Sequence, residues 1–134
     1  MAAVRSDTLE IATSEDVVRV RQAVREAAVS LGLSLVDQTK LVTAASELAR
    51  NTHDYGGGGR FSIAEIQNGS RRGLRLVFED EGPGIPDVER ALQDGYTTGG
   101  GLGMGLGGAR RLVSELEIDS RPGEGTRITA TRWA

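Results

Sequence analysis

The chain has 134 residues, and its 16 basic and 19 acidic side chains give a formal net charge of −3. This length predicts a single domain over residues 1–134, and the slight negative charge gives no indication of binding to nucleic acid or a membrane surface. The absence of cysteine excludes disulfides, thiolate metal sites and a cysteine nucleophile. Since no apolar run has the length of a membrane span and the N-terminus has no signal-peptide core, we expect a cytoplasmic protein.

The first half of the chain predicts one edge strand followed by two amphipathic helices. The strand is predicted at residues 8–12, and Thr13–Ser14, followed by the acids Glu15 and Asp16, is typical of a helix start. Apolar residues then recur at helical spacing as far as Gly32, which ends the first helix. A second helix is predicted from Ser34, and it must end before Gly56–Gly59, which we interpret as a flexible connector.

The second half predicts two hairpins. Residues 60–66 alternate between apolar and polar side chains, and the turn signal Asn68–Gly69 separates them from a strand at 74–78. The last hairpin joins strands at 118–120 and 127–131.

Two further helices are predicted between these hairpins. One is short, spans residues 88–92 and lies inside a lid at about 85–101; the other follows the glycines and has Leu112, Val113 and Leu116 on one face. The order of elements predicts an α/β (α+β) two-layer sandwich, in which helices cover one face of a mixed, mostly antiparallel sheet.

The most unusual stretch runs from Phe78 to Gly108 and contains two glycine clusters. Asp80, Gly82 and Gly84 come first, and the second cluster leads directly into a helical pattern. Glycine lets backbone N–H groups approach a ligand closely, and a glycine loop that opens a helix presents unpaired donors suited to phosphate. We therefore interpret the stretch as a phosphate-binding loop.

Three common nucleotide-binding architectures do not fit this loop. A Walker loop needs a lysine after its glycines, whereas the one lysine, Lys40, follows Thr39. Protein kinases of the ordinary type need a strand lysine in a V-A-I-K context, which is absent. A dinucleotide fingerprint would follow the first strand of a βαβ unit, and this glycine cluster comes late in the chain.

Glu47 and Asn51 are four residues apart on the second predicted helix and therefore share one of its faces. Asparagine is a poor residue for a helix interior, so a ligand would explain it better than helix propensity does. An amide oxygen and a carboxylate beside a phosphate site are suitable oxygen ligands for Mg²⁺. A carboxylate there can also accept a proton from an attacking hydroxyl.

Four motifs in this order, ELARN, DEGPG, GGGLGMG and GEGT, resemble the N box and the glycine boxes of the GHKL ATPase/kinase superfamily. They lie within residues 47–126, and over nearly the whole chain the resemblance is closer to RsbT-type serine/threonine kinases, the switch kinases of the stressosome. The resemblance implies the Bergerat α/β sandwich, with ATP and Mg²⁺ as cofactors.

The resemblance also implies roles for individual residues. Asp80 would accept the hydrogen bond of the adenine N6 group, and Thr126 would support the base edge through water. Asn51 would bind Mg²⁺, and Glu47 would be the catalytic base. Further nucleotide contacts are implied at Gly82, Gly84, Thr98, Gly101, Leu102, Gly103, Met104, Gly105 and Leu106. We assign no role to His53, Arg50, Arg110 or Arg111.

Kinases of this type phosphorylate Ser or Thr on STAS-domain proteins of the stressosome and anti-sigma-antagonist kind. On release they activate a PP2C-type phosphatase, which leads to sigma-factor activation. Two alternatives stay open: a nucleotide-gated binding module without significant turnover, and the catalytic fragment of a histidine kinase. A mechanical GHKL ATPase is less favoured, since such proteins need a following transducer domain.

Overall fold

The computed structural model describes residues 2–85, 88 and 106–134. Three helices are present in this part of the chain: α1 (Ser14–Leu31), α2 (Leu35–Asp54) and α3 (Leu106–Leu112). Five strands accompany them: β1 (Ala2–Ile11), β2 (Gly59–Asn68), β3 (Arg71–Asp80), β4 (Glu115–Arg121) and β5 (Gly125–Trp133). Of the predicted lid at 85–101, only Ile85 and Val88 belong to the described residues.

The strands form one sheet in the order β1-β2-β3-β5-β4, and all four pairings among them are antiparallel. The predicted two-layer sandwich with a mostly antiparallel sheet is confirmed, and these five strands contain no parallel pairing of the kind that a mixed sheet would have. The connection between β1 and β2 explains this arrangement. It contains two antiparallel helices, which cancel each other's direction and return the chain to the end of the sheet that it left.

The helices pack on one face of the sheet, as predicted for a two-layer α/β sandwich. Alternate residues of the strands, such as Phe61 in β2 and Phe78 in β3, join the apolar residues of the helices in one buried cluster. The two rings pack against each other with their centroids 5.0 Å apart. Intervening residues of the same strands, such as Ser62 and Thr129, line a concave surface on the opposite face.

Both long helices begin at the predicted caps. Thr13 caps α1 and forms a capping box with Asp16, and the Ser34 hydroxyl accepts from the Asp37 N–H at the start of α2. Gly32 ends α1 with φ of 85°, a conformation that favours glycine. Local chemistry thus sets where α1 and α2 begin and where α1 ends.

Three local predictions were wrong. β1 begins at Ala2 rather than at residue 8, since it pairs with β2 along its whole length. Leu116 lies in β4 rather than in α3. Gly56–Gly59 is a packed turn and not a flexible connector, because the Gly56 and Gly58 N–H groups donate to carbonyls of α2 and Gly59 already pairs in β2.

Among the helices that the structure describes, none combines the length and the apolar character needed to span a membrane.

We expect Asp16→Asn to lower the free energy of unfolding at neutral pH. The Asp16 carboxylate accepts from the N–H groups of Ala12 at 2.8 Å and Thr13 at 2.9 Å, and these bonds lower its pKa below the ordinary value. An acid with a lowered folded-state pKa stabilises the fold above its unfolded pKa, and this contribution disappears as the pH falls through the folded value.

Urea unfolding of the unmodified protein and of Asp16→Asn between about pH 7 and about pH 3 measures this effect. The difference between their free energies of unfolding should become smaller in acid. Glu15→Gln is the control, because Glu15 is an exposed acid in the same helical turn. A difference that stays constant over the whole range would contradict the role of the Asp16 charge.

Candidate functional site

A pocket with about 380 Å³ of empty space lies where the end of α2, the end of β3 and the start of α3 meet. The described residues that line it are Asn51, Thr52, Tyr55, Gly56, Asp80, Pro83, Gly84, Ile85, Leu106, Thr126 and Ile128. Five of the residues predicted from the sequence thus come together here: Asn51, Asp80, Gly84, Leu106 and Thr126.

Asp80 is the charged group of the pocket and stands at the end of β3. Burial raises the pKa of its carboxyl group above the ordinary value, and hydrogen bonds from the N–H groups of Gly82 and Thr126 oppose that shift. The Gly82 nitrogen lies 2.9 Å from Asp80 Oδ1. These backbone donors orient the carboxylate, and a ligand that brings another N–H donor would compensate for its burial.

Gly56 packs directly against this carboxylate. A Cβ atom at Gly56 would lie 2.6 Å from Asp80 Oδ2, and one at Gly82 would lie 2.7 Å from the Gly56 Cα atom. Both contacts are too short for real Cβ atoms. The close approach of the two glycines therefore leaves room for the Asp80 side chain in only one place.

The loop from Gly82 to Ile85 is fastened to the turn between β4 and β5. The Gly123 N–H donates to the Pro83 carbonyl at 2.8 Å, and the Ile85 N–H donates to Ser120 Oγ at 2.7 Å. Gly84 has φ of 77°, and a Cβ atom there would lie 2.8 Å from the Arg121 carbonyl carbon. Only glycine satisfies both conditions, so Gly84 brings this loop against the turn.

The remaining walls of the pocket are largely apolar. Ile85, Leu106 and Ile128 are buried and belong to the hydrophobic core. Leu106 is the first described residue of α3, so this helix also borders the pocket. A pocket with apolar walls and one oriented carboxylate suits a flat, apolar group that carries an N–H donor.

Glu47 and Asn51 lie one helical turn apart on α2, but only Asn51 is among the residues that line the pocket. The Glu47 side chain is half-buried, and its Oε1 atom lies 3.6 Å from Arg50 Nη1. Arg50 is therefore placed beside the predicted base. The Glu47 side chain is 34% exposed and does not line the pocket.

The other positions named in the sequence analysis fall into two groups. Thr98 and residues 101–105 lie outside the described residues, so their roles stay predictions. His53 Nδ1 lies 2.7 Å from Asp54 Oδ1, and Arg110 and Arg111 are exposed on α3. None of these three is among the described residues that line the pocket.

Sequence reasoning missed six residues of the lining: Thr52, Tyr55, Gly56, Pro83, Ile85 and Ile128. Pro83 lies inside the DEGPG motif and Thr52 directly follows Asn51, so proximity in sequence was a usable signal for both. No local signal distinguishes Ile128 from other core residues, because only the pairing of β3 with β5 brings it to the pocket.

The amino-acid sequence matches the family described as histidine kinase-, DNA gyrase B- and HSP90-like ATPase over residues 36–133. The chain belongs to this ATPase family. The predicted membership of the GHKL superfamily is thereby confirmed.

Two relatives of this ATPase family cover most of the chain. The serine/threonine-protein kinase RsbT of Bacillus subtilis (strain 168) is 45% identical over 125 residues, which are 93% of this chain and 94% of that protein. An anti-sigma F factor of Thermoanaerobacter sp. (strain X514) is 30% identical over 119 residues, which are 84% of this chain and 82% of that protein. The predicted resemblance to RsbT-type kinases is confirmed, and the chain is a protein serine/threonine kinase with an ATPase-family domain.

A solved structure shows the same fold. The crystal structure of the RsbU and RsbW domains of Rv1364c from Mycobacterium tuberculosis matches 96% of this chain with a TM-score of 0.62 at 21% identity. The match spans 32% of that longer chain. At this identity the likeness is evidence for the fold alone.

We expect Gly56→Ala to destabilise the protein by about 1–3 kcal/mol. The new methyl group would overlap the Asp80 side chain, so either this side chain or the backbone at residue 56 would have to move. Gly108→Ala is the matched control. Gly108 is an exposed residue of α3, and a Cβ atom there meets nothing within 4 Å. Denaturant unfolding should show no loss of stability for the control, because alanine favours a helix more than glycine does. An equal loss of stability in both variants would contradict the close packing around Asp80.

Proposed function

We propose that this ATPase-family kinase transfers the γ-phosphate of ATP to a serine or threonine hydroxyl of a STAS-domain protein. After release from that protein it activates a PP2C-type phosphatase and so regulates a sigma factor. The observation that carries the proposal is the pocket, which brings Asp80, Thr126 and Asn51 together beside the start of α3. These are the residues that the family resemblance relates to the nucleotide.

The adenine base would occupy the apolar part of the pocket. Ile85, Leu106 and Ile128 offer buried surfaces for a flat ring, and the Asp80 carboxylate would accept from its exocyclic amine. The raised pKa of Asp80 supports this assignment, because a buried carboxylate gains most from an additional N–H donor. Guanine carries a carbonyl at the equivalent position, so the same pocket would disfavour GTP.

The phosphates would lie towards Asn51 and the start of α3. The described residues fit Mg²⁺ only as a shared ion, because they contain no cluster of three or more carboxylates, histidines or cysteines. The Asn51 amide would contribute one oxygen, while ATP phosphates and water would provide the rest. When bound, the ion would neutralise negative charge on the phosphates.

Glu47 would act as the base for the incoming hydroxyl. Its half-buried carboxylate lies one turn before Asn51 on the same face of α2, so it would stand beside the phosphates and remain accessible to another protein. A hydroxyl must lose its proton as it attacks phosphorus, and a carboxylate within hydrogen-bond reach can accept that proton. Arg50, 3.6 Å from Glu47, would hold the carboxylate in place.

The proposed partners rest on the relatives. RsbT is named as a serine/threonine-protein kinase, and the second relative is named as an anti-sigma F factor. The RsbT resemblance implies a STAS-domain acceptor and a PP2C-type phosphatase. The histidine-kinase alternative is less favoured, because the high-identity relative is named as a serine/threonine kinase.

We expect Asp80→Asn to weaken ATP binding by about 10–100-fold, because the amide cannot replace the charged acceptor. Glu79→Gln is the matched control: this neighbouring acid of β3 contacts Arg60 at 3.5 Å and Arg127 at 3.9 Å, away from the pocket lining. Calorimetric titration with ATP and with GTP measures both variants. Equal affinity of the unmodified protein for ATP and GTP would contradict the adenine assignment.

We expect phosphoryl transfer to a STAS-domain candidate to yield an acid-stable product, and Glu47→Gln to slow its formation by about 10²–10⁴-fold while ATP still binds. The measurement uses labelled ATP and Mg²⁺, with acid and base treatment of the product. Phosphoserine and phosphothreonine survive acid, whereas phosphohistidine does not.

Asp54→Asn is the control for this experiment, because it removes another partly exposed carboxylate of α2 that contacts His53. An unchanged rate in Glu47→Gln would contradict the base role. Label that is lost in acid would favour the histidine-kinase alternative, and nucleotide-dependent complex formation without labelling would favour a binding module.

A further inference from the structure

Ser120 in β4 is the junction between the pocket and the loop that borders it. Its hydroxyl oxygen accepts from the Ile85 N–H at 2.7 Å and lies 3.1 Å from the Gly125 carbonyl oxygen. It also lies 2.8 Å from Thr126 Oγ1. Ser120 itself is not among the residues that line the pocket, whereas Thr126 and Ile85 are.

The Ser120 hydroxyl has one proton, which it can donate to the Gly125 carbonyl oxygen or to Thr126 Oγ1 but not to both. The Gly125 carbonyl oxygen can only accept a hydrogen bond, and the Ser120 hydroxyl is placed to donate its proton to it. The short contact with Thr126 is then a hydrogen bond only if the Thr126 hydroxyl donates to Ser120. The opposite choice would leave the Ser120 oxygen and the Gly125 oxygen facing each other at 3.1 Å without a proton between them.

This arrangement determines what Thr126 offers to a ligand. With its own proton directed to Ser120, the Thr126 hydroxyl has only lone pairs left for the pocket, and its N–H already donates to Asp80. Asp80 and Thr126 together then form an edge that only accepts hydrogen bonds. Such an edge suits a 6-amino purine, directly or through a water that donates to it, and opposes a 6-oxo purine.

We propose that Ser120 is a specificity-determining positioning residue, which holds the Thr126 hydroxyl as an acceptor and thereby selects a 6-amino over a 6-oxo purine nucleotide. The inference rests on the proposed nucleotide site and deepens it. Through the Ile85 N–H, the same hydroxyl ties the loop from Gly82 to Ile85 to this edge. The loop and the base-reading hydroxyl therefore share one anchor.

The test compares ATP with inosine triphosphate, which carries an oxo group at C6 and lacks the 2-amino group of GTP. In Ser120→Ala the Thr126 hydroxyl can rotate and donate into the pocket. We expect the ratio of ATP to inosine triphosphate affinity to fall about tenfold, which corresponds to the loss of one hydrogen-bond preference. Calorimetric titration of the full chain with each nucleotide and Mg²⁺ gives the ratio.

Two further variants separate selectivity from stability. Ser114→Ala removes a hydroxyl that likewise accepts a backbone N–H, from Trp133 at 3.1 Å, but at the opposite end of β4 from Ser120. We expect this control to leave the ratio unchanged even where it lowers the melting temperature. Ser120→Thr keeps the hydroxyl and should retain the ratio of the unmodified protein.

The outcomes distinguish this inference from the proposed function. If the unmodified protein prefers ATP and Ser120→Ala keeps that preference, the role of Ser120 is wrong while the nucleotide site stands. If the unmodified protein binds both nucleotides equally, the adenine assignment fails and this inference fails with it. If Ser120→Ala does not fold, Ser120→Cys replaces it in the test, because a thiol is only a weak donor. We expect Ser120→Cys to lower the ratio of ATP to inosine triphosphate affinity, and an unchanged ratio would overturn the inference.

Discussion

The half-buried carboxylate of Asp80 is the constraint on which the site depends. A carboxylate in a largely apolar pocket is unfavourable unless donors surround it, and here the backbone N–H groups of Gly82 and Thr126 provide them. Both donors arise from the fold: Thr126 is the partner of Asp80 in the pairing of β3 with β5, and Gly82 begins the following loop. Gly56 then closes the remaining side, so that the end of α2 is positioned by the same group.

The antiparallel sheet explains why the proposed adenine pocket and the proposed transfer site would lie side by side. β3 ends at Asp80. α2 ends near the same end of the strands, because α1 and α2 run in opposite directions. Asn51 therefore faces the pocket, while Glu47, one turn earlier, remains half-exposed. A catalytic carboxylate buried in the pocket could not meet a hydroxyl from another protein. The partial exposure of Glu47 suits the transfer that we propose.

Residue patterns predicted the helices better than the strands, for a physical reason. A cap such as Thr13 or Ser34 acts through bonds to its own neighbours in sequence, so its effect is visible locally. Leu116 was placed in α3 because its spacing from Leu112 fits a helix. Leu116 also fits a strand, and its pairing with Ala130 of β5 places it in β4. The extra length of β1 likewise depends on β2 as a partner.

The sequence by itself determined the family, the α/β sandwich and five of the eleven described residues that line the pocket, because its motifs carry unusual residues at positions where few others fit. Asp80, Gly84 and Asn51 were all found in this way. Tertiary structure alone decided that Gly56 supports the Asp80 carboxylate and that Ser120 bonds both Ile85 and Thr126. These contacts join residues from different elements, and serine or glycine in a turn or strand gives no local sign of its neighbour across the fold.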